Sequence, residues 1–215
     1  MDIVNEKVER YMEDLLESRG DDVLREMEAE GKERDFPIVG RTVGVTLEIL
    51  ARAVGASRVL ELGSGFGFSA YWFARAVGSG GEVHLTDGDP HNEKKALDYL
   101  GRAGLGDRCV FHVGDALEII DELPGEFDVI FCDIDKPGYP DAWKKASERI
   151  RVGGLYLCDN VLWSGRVAED TPADDRRAHW IDAIKEQNRA IASDDRYLSV
   201  IVPTRDGVMV ALRIS

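Results

Sequence analysis

What most constrains this chain is the strict alternation of short apolar runs with helical patterns between residues 58 and 159. RVLEL (58–62), EVHLT (82–86), RCVFHV (108–113), FDVIFC (127–132) and GLYLCD (154–159) are separated by stretches of helical spacing near 68–77, 90–103, 115–122 and 139–149. Such alternation predicts βαβ units, hence a parallel sheet with helices on its faces. Ahead of it, Val4, Val8, Tyr11, Met12, Leu15 and Leu16 recur at helical spacing, and Val23, Leu24 and Met27 follow Asp21 and Asp22 as caps. Val43, Leu47, Leu50 and Val54 mark a third helix that Gly55 ends. Behind the alternation, a long helical stretch around 173–192 leads into YLSVIVP, TRDG and VMVALRI. Asp-Gly between two strand-like runs predicts a hairpin. The expected fold is α/β: a doubly wound, mostly parallel seven-stranded sheet with a C-terminal antiparallel hairpin. One domain is expected over 1–215, with a helical extension over about residues 1–35 and no repeat, low-complexity tract or linker.

With 27 Lys and Arg against 41 Asp and Glu, the formal charge is −14. That field repels polyphosphates at long range and disfavours nucleic acid as a partner. Cys109, Cys132 and Cys158, an odd number at wide spacing, each fall in an expected strand and read as buried reduced thiols of a cytoplasmic protein. No apolar run approaches the roughly 18 residues of a membrane span, and the first residues carry no apolar signal region. A soluble chain without membrane partners is expected.

In an open parallel sheet, ligands bind beyond the carboxyl ends of the strands, near the point where strand order reverses. Each of the five expected strands ends on an acidic group: Glu61 before the loop LGSGFGFSA, Asp87, Asp115 within GDA, Asp133 and Asp135 within DIDK, and Asp159 beside Asn160. Taken singly these are ordinary turn residues and caps, and Asp115 can cap the helix that begins ALEII. Gathered on one edge they raise one another's pKa unless a cation lies between them. The loop reads Gly63-x-Gly65-x-Gly67, with Phe68 where the dinucleotide fingerprint has its third glycine, and no Walker lysine is present. Glu61 beside that turn is a poor neighbour for a pyrophosphate and suits a positively charged ligand.

VLELGSGFGFS resembles the first motif of class I S-adenosylmethionine-dependent methyltransferases, whose fold is Rossmann-like, and Asp87 matches the acidic residue that in that class binds the ribose hydroxyls. FCDIDKPGY and GGLYLCDNVLWSGRV resemble the cation-dependent O-methyltransferases, the family of catechol and caffeoyl-CoA O-methyltransferases, and the likeness runs from about residue 36 to the hairpin. The resemblance implies that Asp133, Asp159 and Asn160 ligate a divalent metal. It implies that Lys136 is the catalytic base beside Asp133, and that Asp135 contacts the cofactor. It also implies that the turn with Glu61, Gly63 and Ser64 underlies the methionine part of S-adenosylmethionine. Ser69 then faces the cofactor carboxylate, Ala116 the adenine, and Val39 the cofactor from before the third helix. Ser164 stands where the caffeoyl-CoA enzymes have an asparagine that touches substrate. Trp163 either packs over the metal loop or lines the acceptor pocket, and Trp72 and Trp143 read as core or interface residues on helices.

Two Asp and one Asn offer only hard oxygen ligands, the set for Mg²⁺ first, or Ca²⁺ or Mn²⁺, and the four histidines show no zinc spacing. Open positions on such an ion would let a vicinal diol chelate. A phenol of pKa about 10 needs activation at neutral pH, which the ion and Lys136 can supply. The expected reaction is methyl transfer from S-adenosylmethionine to a hydroxyl of a catechol-like small molecule. Methylation of a hydroxylated tRNA base is the alternative, and a non-catalytic cofactor-binding module is a third. Read singly, Lys136 could simply bridge to Asp133 or Asp135, and Asn160 could cap a turn. The family resemblance also implies a homodimer built partly from the N-terminal helices.

Overall fold

The computed structural model describes residues 5–170 and 175–215. Val4 of the first expected helix and the expected start of the last one at 173 lie outside them. Strands β1 (Arg58–Leu62), β2 (Glu82–Asp87), β3 (Cys109–Val113), β4 (Phe127–Cys132), β5 (Ile150–Cys158), β6 (Tyr197–Val202) and β7 (Val208–Arg213) form one seven-stranded sheet in the order β3-β2-β1-β4-β5-β7-β6. The pairs from β3 across to β5 are parallel, and β7 runs antiparallel to both β5 and β6. The chain therefore winds outward from β1 to β3, then returns to place β4 on the other side of β1. The crevice at that reversal is where such a sheet holds a ligand.

The helices are α1 (Glu6–Leu15), α2 (Asp22–Glu33), α3 (Gly40–Ala53), α4 (Phe68–Val77), α5 (Pro90–Arg102), α6 (Ala116–Glu122), α7 (Tyr139–Ala146) and α8 (Ala178–Ala192). Period-two alternation along the strands divides the core in two. Val59, Val83, Leu85, Val129 and Phe131 meet Leu47, Trp72, Phe73 and Leu100 of α3, α4 and α5. Leu60, Leu62, Ile130 and Tyr156 meet Ile120, Trp143 and Ile184 of α6, α7 and α8. In both layers each fully buried large apolar side chain contributes about 1.5–3 kcal/mol. Trp72 and Trp143 are core residues, as the sequence suggests.

The departures from the sequence reading are local. β5 begins four residues before GLYLCD, because Gly153 takes a left-handed φ of 79° and the register with β4 shifts between Phe127 and Val129. Helix α7 accordingly stops at Ala146 rather than 149. Helix α8 begins at Ala178, since the Asp175 carboxylate accepts the Arg177 N–H at 2.8 Å and holds 175–177 as a turn. The hairpin pairs Val202 with Val208, so Asp-Gly sits at the end of a longer loop over 203–207. All three thiols are free, but Cys109 is only half-buried, because β3 is an edge strand. Val8, Tyr11 and Leu15 on α1 are exposed. Among the described residues no helix is long and apolar enough to cross a membrane.

Candidate active site

One cavity of about 1550 Å³ opens at the carboxyl edge of the sheet, over β2, β1, β4 and β5. Val39, Gly63, Ser64, Ser69, Asp87, Ala116, Asp133, Asp135, Lys136, Asp159 and Asn160 all line it, so eleven of the twelve residues singled out from sequence come together. Glu61 does not. It is fully buried beside Ser64, Ser69 and Asp133, three residues that do line the cavity. Burial, helped by the nearby Asp133 charge, pushes its carboxyl up to about 8. Both of its carboxyl oxygens are buried without a hydrogen-bond partner.

The glycine turn forms one half of the cavity. Its backbone is latched to β2: Ser64 N–H donates to the Thr86 carbonyl at 2.8 Å, and Thr86 N–H donates back to the Ser64 hydroxyl at 3.1 Å. Asp87 accepts the Gly65 N–H at 3.1 Å on one oxygen, and Asp89 N–H at 2.8 Å and Asn92 Nδ2 at 3.1 Å on the other. That fixes a carboxylate at the end of β2 with its orientation set. Gly63, at φ 84°, brings the turn so close to β4 that an added Cβ would stand 2.5 Å from the Asp133 carbonyl oxygen. Only glycine fits that combination of left-handed backbone and close approach. Asp115 does cap α6, accepting the Leu117 N–H at 2.7 Å.

The charged cluster forms the middle. Asp133 N–H donates to the Leu62 carbonyl at 2.8 Å and Asp159 N–H to the Cys132 carbonyl at 3.1 Å, so the sheet ladder continues one residue past β4 and β5. Both carboxylates are thereby held at adjacent strand ends. Lys136 reaches back from a helical turn over Lys136–Gly138. Its Nζ donates to Asn160 Oδ1 at 2.7 Å and to the Tyr139 hydroxyl at 2.8 Å, and lies 3.6 Å from Asp133 Oδ1. Tyr139 in turn donates to the Asp159 carbonyl at 2.7 Å. Burial raises the Asp133 carboxyl, and burial together with the Asp133 charge raises Asp159 to about 7; the charges of Lys136 and Arg205 oppose the rise at both. Asp159 Oδ1 is buried without a hydrogen-bond partner. No group of three or more His, Cys, Asp and Glu capable of holding a metal stands among the described residues, so the candidate ligand set is two carboxylates and one amide.

The far end is an aromatic wall. After Asn160 (φ 56°), Trp163 and Ser164 also take left-handed backbone, at 40° and 53°. Non-glycine residues hold that conformation only when their surroundings enforce it. Here the β6–β7 loop does so: Val161 N–H donates to the Gly207 carbonyl at 3.1 Å and Leu162 N–H to the Asp206 carbonyl at 3.0 Å, and the Asp206 carboxylate accepts the Ser164 N–H. Trp163 thus lines the cavity, its ring 5.8 Å from that of Trp180 and inclined by 22°. Arg166 lies over Trp163 at 4.8 Å and Arg177 over Trp180 at 5.8 Å. Tyr139, Trp180, Arg205 and Asp206 were not reached from sequence. Tyr139 had a usable signal, three residues after Lys136 in KPGY; Trp180 looks like any helix aromatic, and Arg205 and Asp206 like turn residues.

Comparison with known proteins points the same way. The family model for O-methyltransferases matches residues 9–214. The chain is 34% identical over 179 residues to caffeoyl-CoA O-methyltransferase 1 of Eucalyptus globulus, spanning 80% of this chain and 73% of that one. Against the caffeoyl-CoA O-methyltransferase of Petroselinum crispum it is 32% identical over 180 residues, spanning 80% and 75%. Among solved structures, TomG of Streptomyces achromogenes, an O-methyltransferase of tomaymycin synthesis in complex with SAM, superposes with a TM-score of 0.85 at 27% identity, covering 97% and 96% of the two chains. The Bacillus cereus O-methyltransferase in complex with SAH gives 0.85 at 28% identity, covering 96% and 97%. A glycine turn, a strand-end carboxylate pair with its lysine, and a match over nearly the whole chain agree: this protein belongs to the O-methyltransferase family.

Proposed function

We propose that this protein transfers the methyl group of S-adenosylmethionine to one hydroxyl of a catechol-like small molecule, with a divalent cation, Mg²⁺ first, held by Asp133, Asp159 and Asn160. The observation that carries the reading is Lys136. Its Nζ is fixed by Asn160 and Tyr139 between two strand-end carboxylates, in the same cavity as the glycine turn. The donor set fits a hard cation. Partial burial raises the Asp133 carboxyl, and Asp159 is buried outright with one oxygen lacking a partner, a deficit that a divalent ion would relieve. When bound, such an ion supplies positive charge that favours the ionised form of a hydroxyl beside it.

The chain's own residues do the rest. Asp87, at the end of β2, holds the ribose hydroxyls, and Ser69 with the Gly63–Ser64 turn holds the methionine end. Trp163 and Trp180 flank the acceptor ring and exclude water. Acting in its neutral amine form, Lys136 Nζ takes the proton of the attacking hydroxyl as the oxygen–methyl bond forms and the methyl–sulfur bond breaks, releasing S-adenosylhomocysteine. Alignment of oxygen, methyl and sulfur is a proximity effect, which can lower such a barrier by about 7–11 kcal/mol.

The test is methyl transfer to caffeic acid with Mg²⁺, repeated with excess chelator and again after Mg²⁺ is restored. Turnover, loss and recovery are expected. Turnover that the chelator leaves untouched would remove the metal from the proposal. No turnover while S-adenosylmethionine binding is measurable would remove the catechol.

A further inference from the structure

The geometry points to Arg205 as a specificity-determining residue: it fits the site to diols that carry an anionic group, such as a carboxylate, on the side of the ring remote from the hydroxyls. This rests on the reading of the cavity as a diol O-methylation site and names the class of diol.

Arg205 sits in the β6–β7 loop at φ 46°, a backbone conformation that glycine adopts freely and an arginine holds only where its surroundings enforce it. The loop thus keeps a long cationic side chain at a glycine-like position. Its neighbours, Asp206 and Gly207, are the residues that grip the 160–165 segment, so the guanidinium is held in register with Trp163 and Asn160. Arg205 lines the same cavity as Lys136. Its charge reaches the cluster: it opposes the upward push that burial gives Asp133, Asp159 and Asp206.

The guanidinium is not used up. Nη1 donates to the Ile38 carbonyl at 2.9 Å, and Nε forms an ion pair with Glu9 Oε1 at 3.9 Å that is too long for a hydrogen bond. A guanidinium has five N–H donors in a fork that matches a carboxylate. Asp206 is committed to the Ser164 N–H. The chain as a whole, at −14, repels anions, so an anionic acceptor needs a local receptor at the mouth, and Arg205 provides one. A ring laid along Trp163 and Trp180 with its hydroxyls at Lys136 has its other substituent free to reach this arginine.

A plain strap is the competing role, with Arg205 merely tying the hairpin loop to the segment before α3. Selectivity separates the two. Initial rates with Mg²⁺ and S-adenosylmethionine are compared for 3,4-dihydroxybenzoate, catechol and dopamine in the wild type, Arg205→Gln and Arg205→Glu, and binding of the same three is followed calorimetrically with S-adenosylhomocysteine present. The wild type is expected to favour the carboxylate over neutral catechol by about tenfold or more in kcat/KM, as one charge-assisted hydrogen-bond pair provides. Arg205→Gln brings that ratio toward one, and Arg205→Glu turns it in favour of the amine. A uniform loss with unchanged ratios, or a wild type that does not favour the carboxylate, overturns the inference. If no diol is turned over, the methylation reading falls separately, and calorimetry still decides for Arg205: carboxylate-selective binding that Arg205→Gln abolishes supports it, and its absence overturns it.

Discussion

Replacing Tyr139 by phenylalanine removes one oxygen from a fully buried ring and tests how the charged cluster is held. That hydroxyl accepts from Lys136 Nζ at 2.8 Å and donates to the Asp159 carbonyl at 2.7 Å. The first bond involves a charged donor and is worth about 1.5–3 kcal/mol, the second about 0.5–1.5. Lys136 keeps Asn160 and Asp133, which recovers part of the loss, while the Asp159 carbonyl is left without its donor. A net destabilisation of roughly 2–3 kcal/mol follows, and for a chain of this size each kcal/mol lowers Tm by about 2–4 °C. Thermal unfolding followed by circular dichroism is therefore expected to shift down by roughly 4–12 °C. In steady-state kinetics, kcat falls by about tenfold or more because Nζ loses one of its two hydrogen-bonded anchors. KM for S-adenosylmethionine stays close to the wild-type value, since the glycine turn is untouched. A Tm shift within about 1 °C together with an unchanged kcat would refute the bridging role.

Lys136→Ala is expected to abolish turnover while S-adenosylmethionine binding, measured calorimetrically, persists; loss of both would make Lys136 a structural residue. Gly63→Ala places a methyl group against the Asp133 carbonyl and forces a left-handed alanine, so cofactor affinity should weaken at least about tenfold in the same assay. Asp128 lies at the opposite edge of the sheet, where it accepts Ser57 N–H at 2.8 Å, Ser57 Oγ at 3.0 Å and Arg58 N–H at 2.7 Å, and pairs with Arg151. Asp128→Ala should cost about 3–5 kcal/mol in urea unfolding, with little change in cofactor affinity for the folded fraction. Glu30 ties α2 to α5: against the upward push of burial, hydrogen bonds from Lys95, Tyr99 and Arg34 hold its carboxyl at about 2, below the ordinary 4.5. A depressed carboxyl stabilises the fold above pH 4.5 and loses that contribution as pH falls toward 2, so the stability gap between wild type and Glu30→Gln should narrow across that window. A gap independent of pH would contradict it.

The parallel half of the fold was legible because buried parallel strands announce themselves as continuous apolar runs, and β4 was read to the residue. The acidic strand ends were legible for a related reason: chain direction alone puts them on one edge. Glu61 differs from the other strand-end acids in being fully buried behind the cavity lining, a burial that shows only once the strand is set in the sheet. The acceptor wall was the least visible part. Trp180 and Arg205 come from α8 and the hairpin loop, and they meet Trp163 only through non-local packing that no spacing in the sequence encodes.

The insertion of β7 between β5 and β6 has a consequence for how such a protein can change. The residues proposed for the cofactor lie at 39 and between 63 and 116, whereas the proposed acceptor wall is drawn from 160, 163–164, 180 and 205–206. The two halves of one cavity are thus written in separate stretches of chain, joined at the charged cluster of 133–136 and 159–160. Exchanging the later stretch alone would redraw what is methylated without disturbing what donates the methyl group. The hairpin acts as a replaceable faceplate on a constant engine.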